Sequence, residues 1–508
     1  MKKKKLIINI VACLVSFVTV LGINFFLTPY ITKNIGTDAY GFVSLANNFV
    51  NYASIITLAL NSMASRFISV AIFKGEEEEA NKYFTSVFVA NIVMILLLLI
   101  PSIFCVIYLD SLITIPNTLV PSVKILFLLI FINFFLSLVN STYSVSTYAA
   151  DKIELFTLRN MESSIIKVAL MFLLFYLVDA NIIIVGIATL AATTYMLFFN
   201  IFYKKKFLPF LNIRRKYFEF KKIVEIFLAG IWNTVTRIGQ VLSDGLDLLI
   251  TNLFINPIAM GQLSIAKIIS SSVSLLTMSL VNIFQPNMTR LYANNDEKLV
   301  GEINFSMKIV SLFSNILLVG IMCFGIPFYK LWLPHEDYTL LNILTIITLL
   351  NNVVGTSINS LFSIFTITNK LKVNSLVTLF TGFLNVLIVF ILLKLNIFKN
   401  PIIVVALVSV ITGIIKNLTF IPMYSAKCIG AKLTAFYGPI IKSLISSGIM
   451  AIIFLTIGKL VLIDSWIKLI LVACICGVIG FVISIIIMFN KTELKRTINL
   501  IKQKIFAK

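Results

Sequence analysis

Ile35–Leu60 reads IGTDAYGFVSLANNFVNYASIITLAL, and Ile255–Leu280 reads INPIAMGQLSIAKIISSSVSLLTMSL. Laid over one another without a gap, at an offset of 220 residues, they agree at eight of 26 positions: Ile35/Ile255, Ala39/Ala259, Gly41/Gly261, Ser44/Ser264, Ala46/Ala266, Ser54/Ser274, Thr57/Thr277 and Leu60/Leu280. The acidic pair Glu76–Glu77 falls on Asp296–Glu297 at the same offset. Self-similarity at a fixed offset marks a duplicated structural unit. Each stretch also holds the roughly 20 mainly apolar residues that a helix needs to cross a bilayer core.

Working outward, apolar runs between polar punctuation place spans at 6–28, 39–64, 83–109, 121–149, 163–179, 182–203, 223–254, 259–285, 306–330, 339–367, 373–394, 401–423, 440–462 and 467–489, fourteen in all. The two quoted stretches are spans 2 and 8. Their offset of six spans is even, so the copies share one orientation and form a parallel repeat, not an inverted one. The expected fold is an all-α polytopic membrane protein with two six-helix lobes and two extra helices. Its divisions are an N-lobe at 1–203, a basic cytoplasmic linker at 204–222, a C-lobe at 223–423, an appended pair of spans at 424–489 and a basic tail at 490–508.

Composition agrees. Of 508 residues, 59% are hydrophobic and 12% charged, which excludes a soluble enzyme. A net charge of +21 would suggest nucleic acid in a soluble protein. In a membrane protein it records topology, because Lys and Arg accumulate in cytoplasmic loops. Thirty-two of 42 basic residues fall on the side of the Lys2–Lys5 run, and only Lys33, Lys124, Lys330, Lys394, Lys399, Lys459 and Lys468 on the other. Both termini are therefore expected in the cytoplasm, with no nucleic-acid partner. The apolar stretch after Lys5 exceeds a signal-peptide core and lacks a small-residue cleavage site, so it is expected to be a retained first helix.

The linker, KKKFLPFLNIRRKYFEFKK at 204–222, is basic and amphipathic and is expected to join the halves while lying on anionic headgroups. The acidic run Glu76–Glu79 is expected to be a solvated loop. Cys13, Cys105, Cys323, Cys428, Cys474 and Cys476 are scattered and mostly apolar in context, resembling neither a disulfide framework nor a metal site. The single histidine, His335, sits with Glu336 and Asp337 on an external turn, so no metal centre and no cofactor is expected. No phosphate-cradling GxxxxGK[ST] occurs, so the chain is not itself an ATP-driven pump.

Charge inside a span is costly and usually faces a cavity or a partner. Arg237, Gln240, Asp244 and Asp247, at i, i+3, i+7 and i+10, share an arc of roughly 80° on a regular helix. Ser264, Lys267, Ser271, Ser274 and Asn282 form a second stripe on span 8, and the repeat matches them to Ser44, Asn47, Asn51, Ser54 and Ser62. Span 10 adds Asn351, Asn352, Asn359 and Ser363, and span 12 adds Lys416 beside Asn417. A polar cavity containing the cations Arg237, Lys267 and Lys416 is expected. Against it stands the plain alternative, that Ser and Asn stitch helices together and that Arg237 neutralises Asp244. Arg66 is placed at the cytoplasmic entrance, where contact with a phosphate and snorkelling to headgroups compete.

The run Ile35-Gly36-Thr37-Asp38-Ala39-Tyr40-Gly41-Phe42 resembles the "LGxxxYG" junction of the Wzx-like polysaccharide flippases, within the multidrug/oligosaccharidyl-lipid/polysaccharide exporter superfamily. Ile255-Asn256-Pro257-Ile258-Ala259-Met260-Gly261 is its diverged copy, with the first Gly and the Tyr replaced. The resemblance covers essentially the whole chain. It implies a transporter and not an enzyme, with two lobes around a cationic cavity that opens alternately to each side of a bacterial plasma membrane. The cargo it implies is a glycan on undecaprenyl diphosphate, for O-antigen, capsule or related polysaccharide. Membrane lipids are implied partners, as are polymerase and chain-length proteins. Arg237, Lys267 and Lys416 would then hold the anionic headgroup, with Gln240, Ser264, Ser271, Asn47 and Asn51 serving the sugar. Asp244 and Asp247 would tune Arg237 or carry a coupling proton or sodium ion. The alternatives are a MATE-type exporter of cationic cargo, a lipid II flippase and, from another class, a membrane glycan polymerase or glycosyltransferase.

Overall fold

The computed structural model describes residues 22, 25–150, 152–395 and 400–490. Lys2–Lys5, Cys13, Lys399 and the tail from Lys491 lie outside the described residues. Every regular element among the described residues is helical. In chain order these are α1 (25–34), α2 (Thr37–Phe73), α3 (Glu77–Ile107), α4 (Val120–Ala149), α5 (Ile153–Leu177), α6 (Ile183–Phe207), α7 (Phe220–Gln240), α8 (Asp247–Phe254), α9 (Pro257–Ala293), α10 (Leu299–Trp332), α11 (Tyr338–Ile358), α12 (Leu371–Leu395), α13 (Pro401–Leu418), α14 (Tyr437–Leu460) and α15 (Trp466–Met488), with short helical turns between some of them.

Twelve helical segments among the described residues are long and apolar enough to cross a membrane. Two of the fourteen expected spans are not among them, for separate reasons. Of the first, only residues 22 and 25–28 are described. The seventh is interrupted: one π-helical turn, Val241–Gly245, separates α7 from α8, and the Leu246 amide reaches back to the Val241 carbonyl at 3.0 Å. The chain is thus an all-α polytopic membrane protein, as expected.

Contacts group the chain into two compact units. Unit one is Met1–Ser264 with Ser375–Leu387, and unit two is Ile265–Asn374 with Ile388–Lys508. In unit one, α4 packs along α6, and α2 is the hub that meets α3, α4 and α7. Close helix approach in a membrane relies on small residues. A Cβ on Gly230 would lie 1.9 Å from the Ala59 carbonyl oxygen, so α7 and α2 run backbone against backbone. A polar knot ties α2, α3 and α4: Asn61 and Asn91 exchange amide hydrogen bonds at 3.1 Å, Asn91 donates to Thr142 at 3.0 Å and Ser141 donates to Asn61 at 3.0 Å. In unit two α10 is the hub, meeting α11, α14 and α15. Its stitches are Thr277 to Ser314, Asn315 to Ser443, Thr356 to Asn315 and Ser311 to Ser357, at 2.6–3.0 Å. Many of the Ser and Asn in these spans therefore hold helices together.

One local expectation is corrected and another is extended. Glu77–Glu79 is not a solvated loop but the first turn of α3, where carboxylates meet the positive end of the helix dipole. The linker, expected to join the halves on anionic headgroups, is also strapped to that same end of α3. Asn81 accepts from the Asn212 amide at 2.7 Å, Thr85 donates to the Asn212 carbonyl, and Ser86 and the Glu219 backbone bond each other reciprocally. Ion pairs complete the clasp: Lys82 with Glu219 at 3.0 Å, Lys222 with Glu79 at 2.5 Å, and the Tyr83 hydroxyl donating to Glu225 at 2.9 Å. Elsewhere, Lys124 pairs with Asp110 and Lys468 with Asp464, both at 2.8 Å. Each ammonium holds its partner's carboxyl below the usual range.

Candidate functional site

Arg237 lies in the last turn of α7, just before the π turn. Its guanidinium donates to the Asn51 side-chain oxygen on α2 at 3.1 Å and to the Gln240 side-chain oxygen at 3.4 Å. Three residues expected from the sequence are thereby brought together inside unit one, with Arg237 partly buried and Gln240 exposed. Two oxygens orient the guanidinium without neutralising it, and a guanidinium presents five N–H donors in all. Ser62 on α2 accepts from Asn233, one helical turn before Arg237, at 3.1 Å. Asn47 is exposed and turns its amide back to the Val43 carbonyl.

The π turn alters the expected stripe. In a regular helix Asp244 and Asp247 would share a face with Arg237. The extra residue in the turn rotates the later residues by about 100°, so Asp244 is exposed while Asp247, at 2% exposure, opens α8 as a buried carboxylate. The turn frees the Gly245 carbonyl, which accepts from Tyr52 at 2.6 Å and from Asn48 at 3.2 Å. Asn385 of α12 donates to the Ser243 and Leu242 carbonyls at 2.8 and 3.3 Å. These donors cap the groups that a π turn leaves without an α-helical partner.

Ser264 belongs to unit one, is buried, and bonds the Gly261 carbonyl of its own helix. Lys267, Ser271 and Lys416 belong to unit two. Both lysines are partly buried, and the exposed Ser271 bonds the Ile268 carbonyl. Beside Lys416, Asn417 donates to Asn351 of α11 at 3.2 Å, and Asn352 donates to Ser270 of α9 at 2.9 Å. Arg66 is exposed on α2, seven residues before its end. Asp337, next to His335, caps α11 by accepting the Thr339 and Leu340 amides.

A cluster on α5 escapes the sequence reading. That helix begins at Ile153, ten residues before the expected span, so Arg159 and Glu162 lie on it. Arg159 donates to Glu162, to Tyr203 at 3.0 Å and to Tyr195 at 3.3 Å, and its guanidinium stacks on Phe199 at 4.3 Å. Tyr195 also donates to Glu162. The signal in the chain is Tyr195-x3-Phe199-x3-Tyr203, an aromatic ladder at helical spacing opposite an Arg–Glu pair. Lys167 lies on the same helix, and Lys308 is buried on α10. Cations inside helices are therefore more numerous than Arg237, Lys267 and Lys416.

Comparison with known proteins places this geometry. The description "polysaccharide biosynthesis protein" matches residues 4–291. The uncharacterized membrane protein EpsK of Bacillus subtilis (strain 168) is 30% identical over 474 residues, 92% of each chain. Among solved structures, the lipid II flippase MurJ in an inward closed conformation superposes with a TM-score of 0.65 at 17% identity, covering 93% of this chain and 98% of that one. A transporter of the same exporter superfamily from Pyrococcus furiosus, described as having a binding pocket of reversed polarity, gives 0.60 at 14% identity, with 84% and 96% covered. The eukaryotic MATE transporter AtDTX14 gives 0.63 at 13%, with 86% and 98% covered. The fold is the one that lipid II flippases and MATE transporters share.

Proposed function

Because the chain belongs to the polysaccharide biosynthesis protein family, we propose that it is a flippase that carries an undecaprenyl-diphosphate-linked oligosaccharide from the cytoplasmic to the outer leaflet of a bacterial plasma membrane by alternating access. The observation that carries this reading is the oriented, un-neutralised guanidinium of Arg237, held by Asn51 and Gln240 on helices of a flippase fold. Arginine recognises phosphate oxygens through paired N–H donors, while Ser, Asn and Gln along α2 and α9 suit sugar hydroxyls. Lys267 and Lys416, both in unit two, are proposed as further cations that hold the anionic headgroup. Asp247, buried at the start of α8, is the stronger candidate of the two aspartates for a coupling proton or sodium ion, since ionisable groups buried in membrane helices commonly line ion or proton paths. Both termini lie in the cytoplasm on this reading, and the polymerase and chain-length proteins act on the delivered unit. No bond is made or broken, so the role is transport and not enzymatic transfer. A MATE-type exporter of cationic cargo shares the fold, but the intramembrane cations Arg237, Lys267 and Lys416 repel such cargo.

The test is surface glycan in cells whose only copy carries Arg237→Ala or Lys267→Ala. Each lost charged contact with phosphate is worth roughly 1.5–3 kcal/mol, so glycan falls about tenfold or more at matched expression. Wild-type levels in both variants overturn the assignment.

A further inference from the structure

We propose that Lys167 is a second anion-binding position, inside unit one, that takes an oxyanion such as that of a sugar phosphate or an acidic sugar. The proposal deepens the flippase reading and rests on it only for the identity of the cargo. A membrane core of about 20 helical residues ending at Leu177 has its midpoint at Lys167. Lys167 is ten residues from that end and fourteen from Ile153, or about 15 Å and 21 Å at 1.5 Å per residue. A lysine stem reaches about 6 Å, so snorkelling to either interface does not solvate the ammonium.

Nor do the described residues neutralise it. Among the described residues Lys167 has no hydrogen-bond or ion-pair partner. The only carboxylate nearby on its helix, Glu162, is taken by Arg159 and Tyr195. Ser163, one turn away on the same face, spends its hydroxyl on the Ala192 carbonyl at 2.9 Å. One turn in the other direction, Met171 packs toward Leu27 and Tyr30 of α1. Lys167 thus lies between the α6-facing and the α1-facing sides of α5, inside the bundle and away from the lipid. A cation at mid-membrane without a partner is a site until shown otherwise.

A second unmet group lies in the same unit. On α4, which packs on α6 as α5 does, the buried Asn133 side-chain oxygen has no donor among the described residues. Asn133 is also at mid-helix, thirteen residues from Val120. Among the described residues of unit one, Lys167 thus lacks a counter-anion and the Asn133 oxygen lacks a donor.

The test uses the full chain in detergent micelles and reads thermal unfolding against inorganic diphosphate, glucuronate, glucose 1-phosphate and, as the uncharged control, glucose. Ligand that binds only the folded state raises Tm with the logarithm of its concentration. At least one anion stabilises the wild type, and glucose does not. Lys167→Met needs at least tenfold more of that anion for the same shift, while Lys167→Arg stays within about threefold. Unliganded Lys167→Met is as stable as wild type or more so, which establishes that it folds, because an apolar replacement of an unpaired charge removes a burden. A response to diphosphate alone assigns the lipid-linked phosphates, and a response to glucuronate assigns an acidic sugar. Equal responses in wild type and Lys167→Met, or no anion response in the wild type, overturn the proposal. The flippase reading fails separately, when deleting the gene leaves surface glycan intact.

Discussion

A methyl group on Gly261 would sit 2.1 Å from the Thr37 carbonyl oxygen, and one on Gly41 would sit 2.9 Å from the Gly261 Cα. These glycines are the matched pair of the sequence repeat, so an identity legible in the chain has a steric cause: α2 and α9 begin backbone against backbone. The neighbouring difference is also explained. Gly36, with φ +123°, turns the chain into α2 in a region that favours glycine. Its counterpart Asn256 instead caps α9 by accepting the Ala259 amide at 2.7 Å. Gly261→Ala should therefore lower stability by about 1–3 kcal/mol, the usual range for overpacking, and more if the helices cannot separate. Thermal unfolding in detergent checks this, with the exposed Gly301→Ala, where a Cβ meets nothing, as the near-neutral control. Arg237 is legible in the sequence because one charge in an apolar run stands out. Lys167 falls inside the expected span 163–179 but close to its start, because Arg159 and Glu162 lower the local hydropathy; the helix begins ten residues earlier, at Ile153, which moves Lys167 toward its middle.

Span 7 shows how an element escapes its periodicity. The spacing of Arg237, Gln240, Asp244 and Asp247 is helical, yet the π turn between Gln240 and Asp247 divides them, leaving Asp247 buried and Asp244 exposed. Nothing local in VLSDG requires the insertion. Its supports are distant in sequence: Tyr52 and Asn48 on α2 hold the Gly245 carbonyl, and Asn385 on α12 holds Ser243. Tyr52→Phe removes the shortest of these bonds, worth roughly 0.5–1.5 kcal/mol net. Amide exchange of a peptide covering residues 241–249 should then quicken by about two- to tenfold, while exchange in α6 stays unchanged. An unaltered rate at 241–249 would show that Tyr52 does not support the turn. The linker obeys the same logic. Its basic, amphipathic composition is compatible with a membrane surface, but bonds to Asn81, Thr85 and Ser86 of α3 engage its backbone, which composition does not report.

At the scale of the molecule, the charge asymmetry makes a topological prediction. With Cys residues replaced elsewhere, Arg215→Cys in the linker should react with a membrane-impermeant thiol reagent only after the membrane is opened, and Asp464→Cys should react in intact cells. The reverse pattern would invert the orientation drawn from the basic loops. The all-α membrane class, most of the spans, the repeat and the family were available from the amino acids, because crossing a bilayer demands long apolar runs and duplication leaves identities in register. These are properties of composition and order along the chain. What composition cannot carry is which groups meet. Only the tertiary structure placed Asn51 against Arg237, interrupted span 7 around a freed carbonyl, bound the linker to α3 and left Lys167 without a partner among the described residues. Each of these depends on hydrogen bonds made, or not made, between residues tens to hundreds of positions apart, and those are decided by how the helices pack and not by the residues nearby in sequence.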